Sequence, residues 1–215
     1  MTVKLWHCKD TRSLRPLWTL EEMGLEYDIE VLPFPPRYLQ REYLKINALG
    51  TVPFFQDGEI TMTESSGICH YLVDKYPSPQ LRVTPDEPDY GAYLNWLYHS
   101  DTTLTFPQTL YLRYAYFEPE ERRIPKVAED YRKWYLARLR RLNEHLLDND
   151  YLAAGRFTIA DITVHYALFL GELIGFSDDY ESQTKEYLLR LKERPAFIRA
   201  REYSHPDQPE PFVSP

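Results

Sequence analysis

Residues able to do chemistry cluster in three short stretches near the start of the chain. Between a strand pattern ending at His7 and a helix pattern stand Cys8, Asp10, Thr11, Arg12 and Ser13. The hydroxyls can donate hydrogen bonds and Arg12 brings positive charge. Further on, Val52-Pro53 sits where the chain turns into a strand, and a proline there removes one ladder donor, tolerable only at a strand start or edge. Glu64-Ser65 opens a helix, and the free N–H groups of a helix start favour an anion. Thr63 or Ser65 could equally cap that helix, which is compatible with binding. The two cysteines, Cys8 and Cys69, form no Cys-x-x-Cys pair, which argues against dithiol redox chemistry. Cys8 reads as filling a strand end. No set of residues has metal-ligand spacing.

The elements that must position these groups follow from periodicity. Val3 to His7 reads as a strand, and Thr11 to Met23 as a helix closed by Gly24. Tyr27 to Leu32 alternates like a second strand. Pro33, Pro35 and Pro36 predict a loop, and Tyr38 to Ile46 a short helix. Val52 to Gln56 and Ile60 to Met62 flank Asp57-Gly58, a hairpin signal. Glu64 to Tyr76 reads as a helix stopped by Pro77. The resulting β-α-β-α-β-β-α order predicts a thioredoxin-like α/β domain over 1–77.

Residues 78–88, rich in Pro, Asp and Ser, read as a linker. Residues 89–215 then lose the strand signal and predict an all-α helical bundle. Asp89 to Phe117 is aromatic and helical, with Pro107 as an expected kink or break. Pro125 to Leu147 is a long helix whose basic residues (Arg132, Lys133, Arg138, Arg140, Arg141) read as a solvated face. Thr158 to Ile174 is apolar nearly all round and should be buried. Thr158-x-x-Asp161 reads as a capping box with Phe157 and Ile162 as a hydrophobic staple, a folding motif. Shorter helices are expected near Glu181 to Leu191 and Pro195 to Tyr203, and the tail from Pro206 is expected to be extended.

Composition bounds the partners. The 215 residues hold 25 Lys+Arg against 33 Asp+Glu, a net charge of −8, which argues against nucleic acid and anionic membranes as partners. With 43% hydrophobic and 27% charged residues the chain is globular rather than disordered, and no stretch reads as a membrane span. Two cysteines make no disulfide framework, so a reducing cytoplasm is the expected home.

Four segments together resemble the cytosolic glutathione transferases over nearly the whole chain. They are Ser13-Leu14-Arg15-Pro16-Leu17-Trp18-Thr19-Leu20-Glu21-Glu22, Asn47-Ala48-Leu49-Gly50-Thr51-Val52-Pro53, Thr63-Glu64-Ser65-Ser66-Gly67-Ile68, and Thr158-Ile159-Ala160-Asp161-Ile162. The first is also similar to bacterial transferases and lignin β-etherases, in which this segment carries the site serine. The resemblance implies glutathione as co-substrate, a homodimer, and a cis Val52-Pro53 bond. In that arrangement Thr51, Val52 and Pro53 face the cysteinyl unit of glutathione, Glu64 its ammonium and Ser65 its γ-glutamyl carboxylate. Arg37 or Gln40, with Lys45 nearby, would anchor the glycine carboxylate.

The resemblance also implies a donor that stabilises the glutathione thiolate. Tyr is absent from the segment, which disfavours the tyrosine type. The ranking is Ser13, then Thr11, then Arg12, with helix capping as the competing role for Ser13. The functional reading of Cys8 would be a mixed disulfide with glutathione. Trp96, Tyr98, Phe106, Tyr111, Tyr114 and Tyr166 form an aromatic pool suited to core packing or to a planar electrophile. The expected function is therefore a detoxifying transferase that joins glutathione to a hydrophobic, aromatic electrophile. The alternatives are a glutathione-dependent β-etherase, lyase or peroxidase on the same site, or a non-catalytic glutathione-binding module.

Overall fold

The computed structural model describes residues 3–78 and 80–207. Two compact units make up the chain. One holds the chain up to Arg82 and takes it back from Lys192; the other runs Val83–Leu191.

The first unit is built on a four-stranded sheet of order β2-β1-β3-β4. Strand β1 (Val3–His7) pairs in parallel with β2 (Tyr27–Val31) and antiparallel with β3 (Phe54–Asp57), which in turn pairs antiparallel with β4 (Ile60–Met62). The β1–β2 crossover is helix α1 (Leu14–Met23), closed by Gly24 at φ 62°, a left-handed position that glycine takes without a Cβ clash. Every residue of α1 from Leu14 to Leu20 is buried. Helix α2 (Pro36–Leu39) starts on Pro36, so the expected loop is shorter than the prolines suggested: proline's fixed φ and missing N–H suit a first helical position. A 3-10 turn over Arg41–Lys45 completes the segment read as one helix. Asp57 pairs with Ile60, which places Gly58 (φ 62°) and Glu59 at the hairpin tip, one residue later than Asp57-Gly58 predicts. The Asp57 carboxylate accepts from Tyr71 Oη (2.9 Å), Lys75 Nζ (2.7 Å) and Tyr76 Oη (2.8 Å), fastening the hairpin to the end of α3 (Ser65–Lys75).

In the second unit, α4 (Tyr90–His99), a π-helical segment Ser100–Thr105, α5 (Phe106–Leu112) and a second π-helical segment Arg113–Phe117 form one continuous run. Pro107 does not break the helix as expected. The widened turns just before it absorb the carbonyl that proline cannot pair with. The long basic helix is divided at Leu139 into α6 (Pro125–Arg138) and α7 (Arg140–His145). Arg132 pairs with Asp179 and Glu129, and Lys133 with Glu129, as a solvated face requires. Helix α8 (Ile159–Leu173) is buried along nearly its whole length. The capping box at its start is present: the Thr158 side chain accepts from Ala160 N (3.3 Å), and Asp161 Oδ2 accepts from Thr158 N (2.8 Å). Helix α9 (Ser182–Lys192) carries the chain to the end of the unit at Leu191. Among the described residues no helix is long and apolar enough to cross a membrane.

Two boundaries differ from 1–77, 78–88 and 89–215. The second half of the expected linker is tied into the second unit, through Glu87 to Arg156 (2.8 Å) and the Asp89 carboxylate to Ala154 N (2.8 Å). Helix α10 (Pro195–Glu202) packs not in the helical bundle but on α1. Phe197 meets Trp18 edge-on at 4.9 Å, and Arg194, Arg199 and Arg201 reach Glu22, Glu21 and Asp10. Amphipathic spacing predicts the helix but not the side it joins. Of the tail, Pro206 and Asp207 form a turn rather than an extended strand, and positions 208–215 lie outside the described residues.

Candidate functional site

Strand directions bring the three chemistry-bearing stretches to one end of the sheet. Trp6, near the end of β1, pairs with Phe54 at the start of β3, and Phe55 pairs with Met62 at the end of β4. The loop after β1, the loop before β3 and the start of α3 after β4 therefore emerge at the same edge.

The loop after β1 is tightly knotted. Ser13 has no exposed surface. Its oxygen lies 2.8 Å from His7 Nδ1 and 2.8 Å from Thr11 Oγ1, accepts from the Cys8 amide (3.2 Å) and faces the Cys8 carbonyl (3.2 Å). Thr11 Oγ1 also donates to the Cys8 carbonyl (2.8 Å) and is 7% exposed. Burial pushes the His7 imidazole down to about 4, keeping it neutral, and the backbone of Tyr203 is a further partner. Burial pushes the Cys8 thiol up to about 12. That makes Cys8 an inert member of a core cluster with Trp6, Leu32 and Tyr43, as its reading as a strand-end filler expects. Asp10 sits at φ 59°, a conformation that Asp tolerates better than most residues, and Arg201 Nη2 holds its carboxylate at 3.0 Å. Arg12 alone of the three ranked candidates keeps appreciable exposure.

The loop before β3 is held from below. The Thr51 carbonyl accepts from Tyr43 Oη (2.7 Å) and Asn47 Nδ2 (2.9 Å), while Asn47 Oδ1 accepts from Leu49 N (3.1 Å). The Val52-Pro53 bond is cis, as expected; Phe34-Pro35 is cis as well. Thr51 is exposed, Val52 partly so and Pro53 buried. Gly50 lies at φ 60°, and a Cβ there would come within 2.6 Å of the Arg37 Cβ. That close approach sets Arg37 beside this loop, exposed and with its guanidinium 4.9 Å from the Tyr38 ring centre. Gln40 is partly exposed, and Lys45 is exposed and paired with Glu42.

At the start of α3, Glu64 is exposed and makes no side-chain cap bond. Ser65 is the first helical residue and is 4% exposed, and its oxygen accepts from Arg15 Nη1 at 3.0 Å. Arg15 itself has no exposed surface. Sequence reasoning gave no role to Arg15, His7 or Arg201. Arg15 had a visible signal: with Thr19 it forms a polar i, i+4 pair inside a helix otherwise lined by Leu14, Leu17, Trp18 and Leu20. Arg201 had none, because its partner Asp10 is 191 positions away.

The aromatic pool divides. Trp96 and Tyr166 are core residues, Tyr111 packs edge-on against Phe176 at 4.6 Å, and Tyr98 and Phe106 are about half exposed.

Residues 11–75 match the family described as Glutathione S-transferase, N-terminal domain. Protein LigF of Sphingobium sp. (strain NBRC 103272 / SYK-6) is 30% identical over 91% of this chain and 91% of its own. Glutathione S-transferase 3 of Schizosaccharomyces pombe is 25% identical over 97% of each. The solved structure of the glutathione transferase URE2P6 from Phanerochaete chrysosporium, in complex with oxidized glutathione, is 26% identical, with a TM-score of 0.79 over 94% of this chain and 95% of that one. Sheet, loops and sequence point the same way, and the chain belongs to the cytosolic glutathione transferase family, enzymes for which glutathione is the co-substrate.

Proposed function

We propose that the protein joins the glutathione thiolate to a hydrophobic, aromatic electrophile. The observation that carries this reading is the meeting, at one end of the sheet, of the Cys8–Ser13 loop, the cis Val52-Pro53 turn and Ser65 above a buried arginine. In this reading the Val52 backbone pairs with the cysteinyl unit as a sheet edge would. Ser65 and the first amides of α3 hold the γ-glutamyl carboxylate, Glu64 the ammonium, and Arg37 or Gln40 the glycine carboxylate. The thiol loses its proton to solvent, and the sulfur forms the new C–S bond as a leaving group departs with its electron pair.

A free thiol titrates at roughly 8.5, so a donor aimed at sulfur raises the reactive fraction at neutral pH. Accessibility reverses the order of candidates. Ser13 is sealed and Thr11 nearly so, and we assign the role to Arg12, whose positive charge stabilises the anion. Arg12→Ala should raise the thiol titration of bound glutathione and slow turnover at saturating glutathione. Unchanged titration would remove Arg12 from the site.

Retention on immobilised glutathione tests the binding reading, and failure to bind would overturn it. A panel of aryl halides, organic peroxides and β-aryl ethers separates the chemistries. Cleavage of β-aryl ethers is the second reading, favoured by the Ser13-Leu14-Arg15-Pro16-Leu17 segment. A peroxidase would reduce the peroxides, and a binding module would turn over none of the panel. We also propose a cytoplasmic homodimer with a detoxifying role; sedimentation as a monomer at micromolar concentration would refute the dimer.

A further inference from the structure

Arg15 is among the largest side chains in the protein without exposed surface. A guanidinium taken out of water costs several kcal/mol unless it is paired and hydrogen-bonded. It also stands in the first turn of α1, where the helix dipole disfavours a cation. The buried cation and the start of α3 meet at Ser65, whose oxygen accepts from Arg15 Nη1.

We propose that Arg15 is a positioning residue that fixes the direction of the Ser65 hydroxyl and so makes the α3 start selective for an α-amino-acid carboxylate. This rests on the glutathione reading, where that group is the γ-glutamyl carboxylate. A hydroxyl has one proton and two acceptor sites, and a guanidinium is a donor only. With Arg15 Nη1 donating to Ser65 Oγ at 3.0 Å, the hydroxyl proton cannot point back at Arg15 and is left to donate elsewhere. The same charge lies behind the serine and favours an anion in front of it. Arg15 does not touch the ligand; it acts through Ser65.

The test compares glutathione with 4-aminobutanoyl-cysteinylglycine, which lacks only the α-carboxylate, by calorimetric affinity. The parent should prefer glutathione by about tenfold or more, the size of one hydrogen bond to a charged group. Arg15→Gln removes the charge and offers an amide oxygen that can accept the Ser65 proton. Its preference should fall to near unity, through weaker glutathione binding and unchanged analogue binding. Arg15→Lys keeps a donor-only cation of shorter reach and should lie between, at least about threefold below the parent. Equal weakening of both ligands by Arg15→Gln would mean a merely structural role and overturn the proposal. Should Arg15→Gln fail to fold, an unchanged preference in Arg15→Lys overturns it. A parent that binds both ligands equally sinks this inference and leaves the glutathione reading standing; a parent that binds neither sinks both.

Discussion

Replacing Ser13 by alanine should unfold the protein more readily rather than merely slow it. The Ser13 oxygen is fully enclosed and serves the Cys8 amide at 3.2 Å and His7 Nδ1 at 2.8 Å. Thr11 keeps its bond to the Cys8 carbonyl, so its hydroxyl is not orphaned. Two buried groups lose a partner, and each costs roughly 1–3 kcal/mol, for a total of about 2–6 kcal/mol, with partial relaxation favouring the lower half. At ~2–4 °C per kcal/mol for a chain of this size, the midpoint should fall by at least about 4 °C. Urea denaturation of parent and Ser13→Ala, followed by tryptophan fluorescence, measures the loss directly at equal slope. Titration of the bound glutathione thiol runs alongside and should show the parental value. A variant with parental stability whose bound thiol titrates higher would refute the reasoning and put Ser13 Oγ against the sulfur.

Phe197→Ala should cost about 3–5 kcal/mol, because Phe197 is buried against Trp18, and thermal melting would show it. Gly50→Ala should cost at least about 1 kcal/mol from its φ of 60° alone, and should raise the KM for glutathione because the new Cβ displaces Arg37. For Asp57, burial alone would lift the carboxyl, but hydrogen bonds from Lys75, Tyr76 and Tyr71 outweigh it and hold it below its ordinary value. Its contribution is thus complete above about pH 4 and lost as pH falls through the lowered value; denaturation series at pH 5 and below should show a steeper fall for the parent than for Asp57→Asn.

Local patterns were legible wherever one residue's neighbours in sequence are also its neighbours in space. Gly24 and the Thr158–Asp161 box needed only short-range geometry, and the Asp57-Gly58 hairpin erred by one position because the turn type fixes which residue takes φ above zero. What stayed hidden depended on distant partners. Hydroxyl chemistry put Ser13 first among the candidates, but whether a hydroxyl faces a ligand or a backbone amide is decided by His7 and the fold of the Cys8–Ser13 loop. Arg15 stands out in the sequence only as a polar i, i+4 pair with Thr19, and its partner Ser65 lies 50 positions on. The spacing of α10 marks a helix, but an amphipathic face does not say which apolar surface it will cover, and α10 covers α1.

The return of α10 to the first unit has a consequence for biosynthesis. The Asp10–Arg201 pair joins residues 191 apart, and Trp18 waits for Phe197. Chain closure over such a span carries a large entropic cost before any contact is rewarded. While the ribosome is still adding the second unit, the nascent sheet and α1 carry an uncovered apolar face, and Glu21, Glu22 and Asp10 lack their arginines. The unit that holds the sheet therefore starts before the helical unit and is finished after it, once α10 has left the exit tunnel.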